Sequence, residues 1–259
     1  MIRTENLEKS FGDNHVLKGI DTEFYAGKPN LIIGSSGAGK TVLLKLLIGL
    51  FRPTSGAVYY GDTNIYELEE EDLRSIRMRI GMLFQGNALF DSMTVGENIR
   101  FPMDMFTKRT LKEKLMRVDE CLEMVNMEGI NDRFPSEVSG GMQKRVGIAR
   151  AMVLEPDYLF CDEPNSGLDP QTSILIDELI CDLTNTNNIT TVINTHDMNS
   201  VMGIGDNIIL MKNGRVAWKG DKTQVLESNN QTLEDFIFAS PFLRRLREDA
   251  LKQRHGEED

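Results

Sequence analysis

The segment that most constrains this chain is Gly34-Ser35-Ser36-Gly37-Ala38-Gly39-Lys40-Thr41, a loop of the form G-x-x-x-x-G-K-[ST]. Chance alone would place such a loop in roughly one chain of this length in a hundred. Its surroundings fit as well. Residues 29–33 read as a short apolar strand before it, and residues 42–50 as an apolar helix after it. A strand feeding a glycine turn and then a helix aims successive backbone N–H groups at one point. The helix N-terminus adds positive potential there. Glycines let the backbone approach a phosphate with no Cβ in the way. The chain must therefore contain an α/β core built around this turn.

The rest of the sequence supplies further pieces of that core. Tyr158-Leu159-Phe160-Cys161-Asp162-Glu163 reads as an apolar strand ending in two carboxylates, and Ile80-Gly81-Met82-Leu83-Phe84 as a buried strand ending at Gln85. Strand patterns also occur at residues 19–24 and 190–194, and Asn213-Gly214 between two apolar runs signals a hairpin. Pro53-Thr54-Ser55-Gly56 reads as a turn. Asp169 followed by Pro170 is an N-cap with proline at the first helical position. From residue 87 to about 135 the character is helical. Leu111, Leu115, Val118, Leu122 and Val125 recur at steps of four and three, one apolar face expected to form the core of a helical insert.

Composition narrows the partners. The net charge of −11 argues against a nucleic-acid backbone as partner and against adhesion to an anionic membrane surface. Cys121, Cys161 and Cys181 fall at no metal-ligand or redox spacing and fit a reduced, cytoplasmic compartment. The opening Met1-Ile2-Arg3-Thr4-Glu5 has no signal-peptide core. The most apolar stretch, residues 43–51, is too short to span a bilayer and carries Lys45. Action at a membrane would thus require attachment through another subunit.

Phosphoryl transfer to water needs a triphosphate held, its charge neutralised, and a water aligned with the γ-phosphorus. Lys40 offers a cation to the β- and γ-phosphates, and the Thr41 hydroxyl suits Mg²⁺. Asp162, ending a buried strand, can hold the Mg²⁺ hydration shell, and Glu163 can polarise the water. Strand alternation would point these two carboxylates to opposite sides.

Val138-Ser139-Gly140-Gly141-Met142-Gln143, Asp162-Glu163-Pro164, Ser166-Gly167-Leu168-Asp169 and Thr195-His196-Asp197 follow in order. Together with the phosphate loop they resemble the motif set of ABC-type ATPases in order and spacing, over nearly the whole chain to about Gly220. The resemblance implies a P-loop NTPase core of α/β class with an antiparallel β subdomain and an inserted helical subdomain. An ATPase domain would occupy residues 1–220, its helical part about 87–150, followed by an extension at 221–259. The implied cofactors are ATP and Mg²⁺. The nucleotide would lie on Gly34, Ser35, Ser36, Gly37, Ala38, Gly39, Lys40 and Thr41, with Phe11 stacking on adenine. Glu163, His196, Gln85 and Lys40 would be catalytic, with His196 on the γ-phosphate. Thr41, Gln85 and Asp162 would face the metal. Ser139, Gly140, Gly141 and Met142 would close in trans on the nucleotide of a second copy, with Asp169 at that dimer interface. The resemblance further implies an integral membrane permease as partner, and a place on the inner face of the cell membrane through it.

Many such ATPases carry Gln where this chain has Met142, and Thr where it has Asn165. The form Ser139-Gly140-Gly141-Met142-Gln143-Lys144-Arg145, with Thr195-His196-Asp197-Met198, resembles the ATPases of Mla/Mce-type phospholipid transporters. That likeness implies lipid cargo, with a small accessory protein and a lipid carrier as further partners. Other cargo, such as lipoprotein or a small solute, is the alternative within transport. Non-transport ABC ATPases would need a long coiled-coil insertion or a second ATPase domain, and neither is present. A regulatory module without turnover is disfavoured by intact Lys40, Glu163 and His196. In the tail, Leu233, Phe236, Ile237, Phe242, Leu243 and Leu246 fit an amphipathic helix that either docks on its own domain or reaches a partner, ahead of a disordered end.

Overall fold

The computed structural model describes residues 1–238 and Arg245. The chain opens with two long antiparallel strands, β1 (Ile2–Phe11) and β2 (Asn14–Phe24). Ile20, Thr22 and Phe24 alternate inward along β2, as period-2 patterning requires. The short strand β3 (Lys28–Ile33) leads into the glycine loop and α1 (Lys40–Leu47). Strands β4 (Ser55–Tyr60) and β5 (Thr63–Asn64) then complete a four-stranded antiparallel sheet in the order β2-β1-β4-β5.

Helix α2 (Glu70–Met78) and strand β6 (Ile80–Leu83) return the chain to the second sheet. Helices α3 (Val95–Phe106), α4 (Leu111–Met124) and α5 (Gly140–Met152) follow. Reciprocal capping boxes start α3 at Thr94/Glu97 and α4 at Thr110/Glu113. Then come β7 (Tyr158–Asp162), α6 (Pro170–Thr186), β8 (Thr190–Asn194), α7 (Met198–Ile204), β9 (Asn207–Lys212) and β10 (Arg215–Gly220). Helices α8 (Lys222–Glu227) and α9 (Gln231–Ile237) close the described part. The six-stranded sheet runs β10-β9-β3-β8-β7-β6, parallel except for the β9–β10 hairpin. Asn213 and Gly214, both at positive φ, make the hairpin turn.

The central strands are buried on both faces. Leu31, Ile33, Leu159, Cys161 and Ile193 point into a core shared with α3 to α6. Ile32, Phe160 and Val192, from the same strands, point into a second core with α1 and the antiparallel sheet. Among the described residues no helix is long and apolar enough to cross a membrane.

Three readings from sequence need correction. Phe84 lies beyond the end of β6 and is exposed, so the strand stops at Leu83. The α4 stripe is split: Val118, Leu122 and Val125 are buried, but Leu111 and Leu115 are exposed at 61% and 43%. The first turn of α4 extends past the core that its later turns fill. Ser55 and Gly56 belong to β4, so the turn comes earlier. In the tail, Leu233 and Ile237 are buried against the chain's own core with Phe236 packed beside them. Phe242, Leu243 and Leu246 lie outside the described residues.

Candidate functional site

The carboxyl ends of three parallel strands meet at one edge of the six-stranded sheet, and the loops leaving them form the site. From β3 comes the glycine loop. Gly34, Gly37 and Gly39 have φ of 146°, 80° and 101°, a region that L side chains rarely adopt. A Cβ at Gly34 would overlap the Met211 carbonyl oxygen, and one at Gly39 would lie 2.7 Å from Leu17 Cδ2. Glycine is therefore required by packing as well as by dihedral. Among the described residues no side chain caps α1, so its first-turn N–H groups remain available to an anion. The Lys40 ammonium folds back over the loop, donating to the carbonyls of Gly34 at 2.7 Å and Ser35 at 3.3 Å. Burial holds its pKa below the usual lysine range, offset only in part by Glu163 and Asp162.

From β7 come the two carboxylates. Asp162 is the last strand residue, but Glu163 lies beyond it at φ 51°. The opposed orientation expected from strand alternation is thus replaced by a left-handed turn, held by a hydrogen bond from Glu163 N to the Asn194 carbonyl at 2.8 Å. A left-handed non-glycine residue is a small store of strain, often found at functional sites. The turn leaves Glu163 Oε2 2.8 Å from His196 Nδ1, which follows β8.

Asn194, at the end of β8, joins these pieces. Its amide donates to Asp162 Oδ1 at 2.5 Å and lies 3.4 Å from the Thr41 hydroxyl. Its own Oδ1 is buried without a hydrogen-bond partner among the described residues. The resulting cluster brings two hard oxygen donors together, the Thr41 hydroxyl and the Asp162 carboxylate, both facing the Asn194 amide nitrogen. That set suits Mg²⁺, which prefers oxygen and takes few protein ligands when phosphates supply others. Sequence reasoning missed Asn194; a lone amide ending a fully buried strand was the available signal.

One cavity of about 820 Å³ is lined by residues 34–42 together with Gln85, Glu163, Asn194 and His196, while Asp162 stands behind its wall, bonded to Asn194. Asn14, Val16, Met198 and Phe236 complete its wall. Several expected residues lie elsewhere. Phe11 is 44% exposed at the end of β1, edge-on to Phe51 at 5.6 Å. Ser139 caps α5, accepting from Met142 N at 3.3 Å, and both Ser139 and Gly140 are exposed. Met142 packs partly against the core. A Cβ on Gly141 would lie 2.7 Å from Thr172 Cγ2, so α5 and α6 approach closely there. Asp169 caps α6; the Thr172 hydroxyl donates to its Oδ2 at 2.5 Å and Thr172 N to its Oδ1 at 3.0 Å, and these bonds hold its carboxyl below the usual range. None of these residues lines the cavity.

Residues 17–166 match the family model described as ABC transporter. The chain belongs to the ABC transporter family. It is accordingly an ATP-binding subunit of the ABC type, whose chemistry is ATP hydrolysis coupled to transport. It is 37% identical over 236 residues to the probable ribonucleotide transport ATP-binding protein mkl of Mycobacterium leprae, covering 91% of this chain and 68% of that protein. It is 40% identical over 230 residues to the methionine import ATP-binding protein MetN of Carboxydothermus hydrogenoformans, covering 87% of this chain and 67% of that one. The ATP-binding cassette MJ0796, solved as a dimer in a post-hydrolysis state with ADP and Pi, is 31% identical with a TM-score of 0.77. That match covers 86% of this chain and 99% of the cassette.

Proposed function

We propose that two copies of this chain close head to tail around two ATP molecules and drive a membrane permease that moves phospholipid or a related hydrophobic molecule. The observation that carries the dimer is a division within one chain. A single cavity gathers the phosphate loop, Glu163 and His196, while the signature residues Ser139 and Gly140 stand exposed outside it. A second copy would bring its own signature to the open side. That the cassette MJ0796 was solved as a dimer supports the pairing of two copies.

In this reading the backbone of residues 34–41 and Lys40 hold the phosphates, and Phe11, exposed at the end of β1 beside Phe51, stacks on adenine. Thr41, Asp162 and Gln85 hold Mg²⁺, which would neutralise charge on the phosphate oxygens. Glu163 orients and deprotonates the attacking water. His196, 2.8 Å from Glu163, holds the γ-phosphate. Asp169 lies at the dimer contact. Residues 1–220 act as the ATPase domain with a helical part at about 87–150, and 221–259 as an extension. Helices α8 and α9 pack on the chain's own core through Val225, Leu233 and Ile237.

The permease has a candidate seat. A groove of about 720 Å³ lies beside the Gln85 loop, lined by Phe84, Phe90, Phe101 and Phe106 with Arg74 and Arg150. We assign it to a helix of the permease, which would hold the chain at the inner face of the membrane. For cargo, the relatives' names divide between ribonucleotide transport and methionine import. Lipid is preferred because Met142 and its neighbours resemble the Mla/Mce type. A small accessory protein and a lipid carrier would complete such a system.

Two measurements test this. Ser139→Arg should suppress turnover while ATP binding to the isolated chain stays intact; lost binding in the monomer would refute the trans role. The complex purified with its native permease should carry phospholipid, and added phospholipid should change its ATPase rate, because substrate and nucleotide binding are reciprocally linked. A delipidated complex that ignores lipid but answers a small polar solute would overturn the lipid reading and leave the ATPase assignment intact.

A further inference from the structure

The loop after β6 belongs to two cavities at once. Gln85 lines the nucleotide cavity, whereas Phe84 and Ala88 line the apolar groove. Its backbone is held in an unfavourable shape. Asn87 and Ala88 have φ of 59° and 50°, consecutive left-handed residues that crowd Cβ against the carbonyl oxygen. Asn tolerates that region, but Ala has no side-chain group to compensate. Inside the loop, Asn87 N donates to the Phe84 carbonyl at 2.9 Å and Ala88 N to the Gly86 carbonyl at 2.6 Å.

The remaining carbonyls go to one helix. Lys144 Nζ donates to the Gln85 carbonyl at 2.7 Å. Arg150 donates through Nη1 to the Ala88 carbonyl and through Nη2 to the Asn87 carbonyl, both at 2.6 Å. Midway between these cations, a Cβ on Gly147 would lie only 2.8 Å from Leu83 Cδ1, so α5 sits hard against the end of β6. Spacing of three places 144, 147 and 150 along one side of the helix. Lys144 is only 2% exposed, and burying an ammonium is unfavourable unless it is paired. Desolvation holds its pKa below the usual lysine range, offset only in part by Cys161, Asp162 and Glu163. Ser139 caps the N-terminus of this same helix.

We propose that Lys144 and Arg150 are positioning residues that clamp the strained 85–88 loop to α5, so that a displacement of the loop at the groove moves Ser139 at the helix start. The clamp stands on geometry alone; the relay rests on the transport reading, with the permease as the body that displaces the loop. Coupling between sites needs a continuous element in contact with both, and α5 is tied to the 85–88 loop through Lys144 and Arg150 and begins at Ser139.

The test has two arms. In the isolated full-length chain, Arg150→Met should speed amide exchange in residues 85–89 by about tenfold or more, leaving α3 amides unchanged, because local opening no longer breaks the clamp. Arg150→Lys, which keeps the charge but loses the fork, should fall between, and it carries the test if the Met variant does not fold. Unchanged exchange in the Lys variant and in any folded Met variant overturns the clamp. In the complex drawn from native membranes by a tagged chain, the readout is the ratio of its ATPase rate to that of the isolated chain. Lys144→Met, at a residue that lines neither the nucleotide cavity nor the groove, should leave the isolated rate within about threefold and cut the ratio about tenfold, within the usual range of coupling between sites. An unchanged ratio despite a loosened loop overturns the relay. A wild-type chain that brings down no membrane protein overturns the transport reading, and the exchange arm still decides the clamp.

Discussion

Asn194→Ala is the most informative single change. The amide makes a charge-assisted hydrogen bond to Asp162 Oδ1 and reaches toward the Thr41 hydroxyl. A hydrogen bond to a charged group contributes about 1.5–3 kcal/mol. Against that loss stands a gain, since Ala also removes the buried, unpartnered Oδ1, an unmet acceptor that costs about 1–3 kcal/mol. The two largely offset, so the net loss of stability should be small, about 1 kcal/mol, or about 2–4 °C in melting temperature for a chain of this size. The functional effect should be larger. Asp162 loses the group that fixes its carboxylate, and removal of such an outer partner typically weakens metal binding about 10–100-fold. ATPase rate measured against free Mg²⁺ at saturating ATP should therefore show half-saturation raised at least about tenfold, equivalent to about 1.4 kcal/mol. ATP binding without Mg²⁺ should change little. A melting shift with an unchanged Mg²⁺ profile would refute the reasoning and leave Asn194 a purely structural residue.

Two further substitutions probe the reacting groups. Lys40→Ala removes the cation now held over the loop carbonyls and should weaken ATP binding by about a hundredfold or more, from the loss of one or two charge-assisted bonds; near-normal affinity in an equilibrium titration would remove the phosphate-loop assignment. Glu163→Gln should still bind ATP and Mg²⁺ but hydrolyse about 10²–10⁴-fold more slowly, the usual worth of a general base. Its dimer should then accumulate on sizing, and a monomer at saturating ATP would count against the head-to-tail arrangement.

What could be read from sequence was what local chemistry dictates. The strand–loop–helix around Gly34, the Asp169–Pro170 helix start and the Asn213–Gly214 hairpin all appear, because each is set by dihedral preference or capping within a few residues. What failed depended on distant partners. Leu111 and Leu115 carry the right helical spacing, yet among the described residues no facing element covers them. The orientation of Glu163 could not follow from strand alternation, since a bond to the Asn194 carbonyl pulls its backbone into the left-handed region. Asn194, Lys144 and Arg150 have no motif logic of their own. They become meaningful only when β7, β8, α5 and the Gln85 loop are brought together.

Sheet register explains how groups so far apart in sequence reach one site. Asp162 pairs with Asn194 across β7 and β8, and Asn194 pairs with Ile32 across β8 and β3. The three strand ends are thus aligned at the edge where the glycine loop departs, the place where parallel sheets commonly bind ligands. That alignment is strongly specified because both faces of these strands are buried in different cores. Ile32 and Phe160 fill one core, while Leu31, Ile33, Leu159 and Cys161 fill the other. A slip of one residue in β7 would exchange its inward and outward sets, driving Phe160 into the helical core and withdrawing Asp162 from Asn194. The same packing that fixes the strands therefore sets the distance from Thr41 to Asp162 and from Glu163 to His196. The loops beyond the strand ends need only short turns, such as the left-handed Glu163, to complete the site.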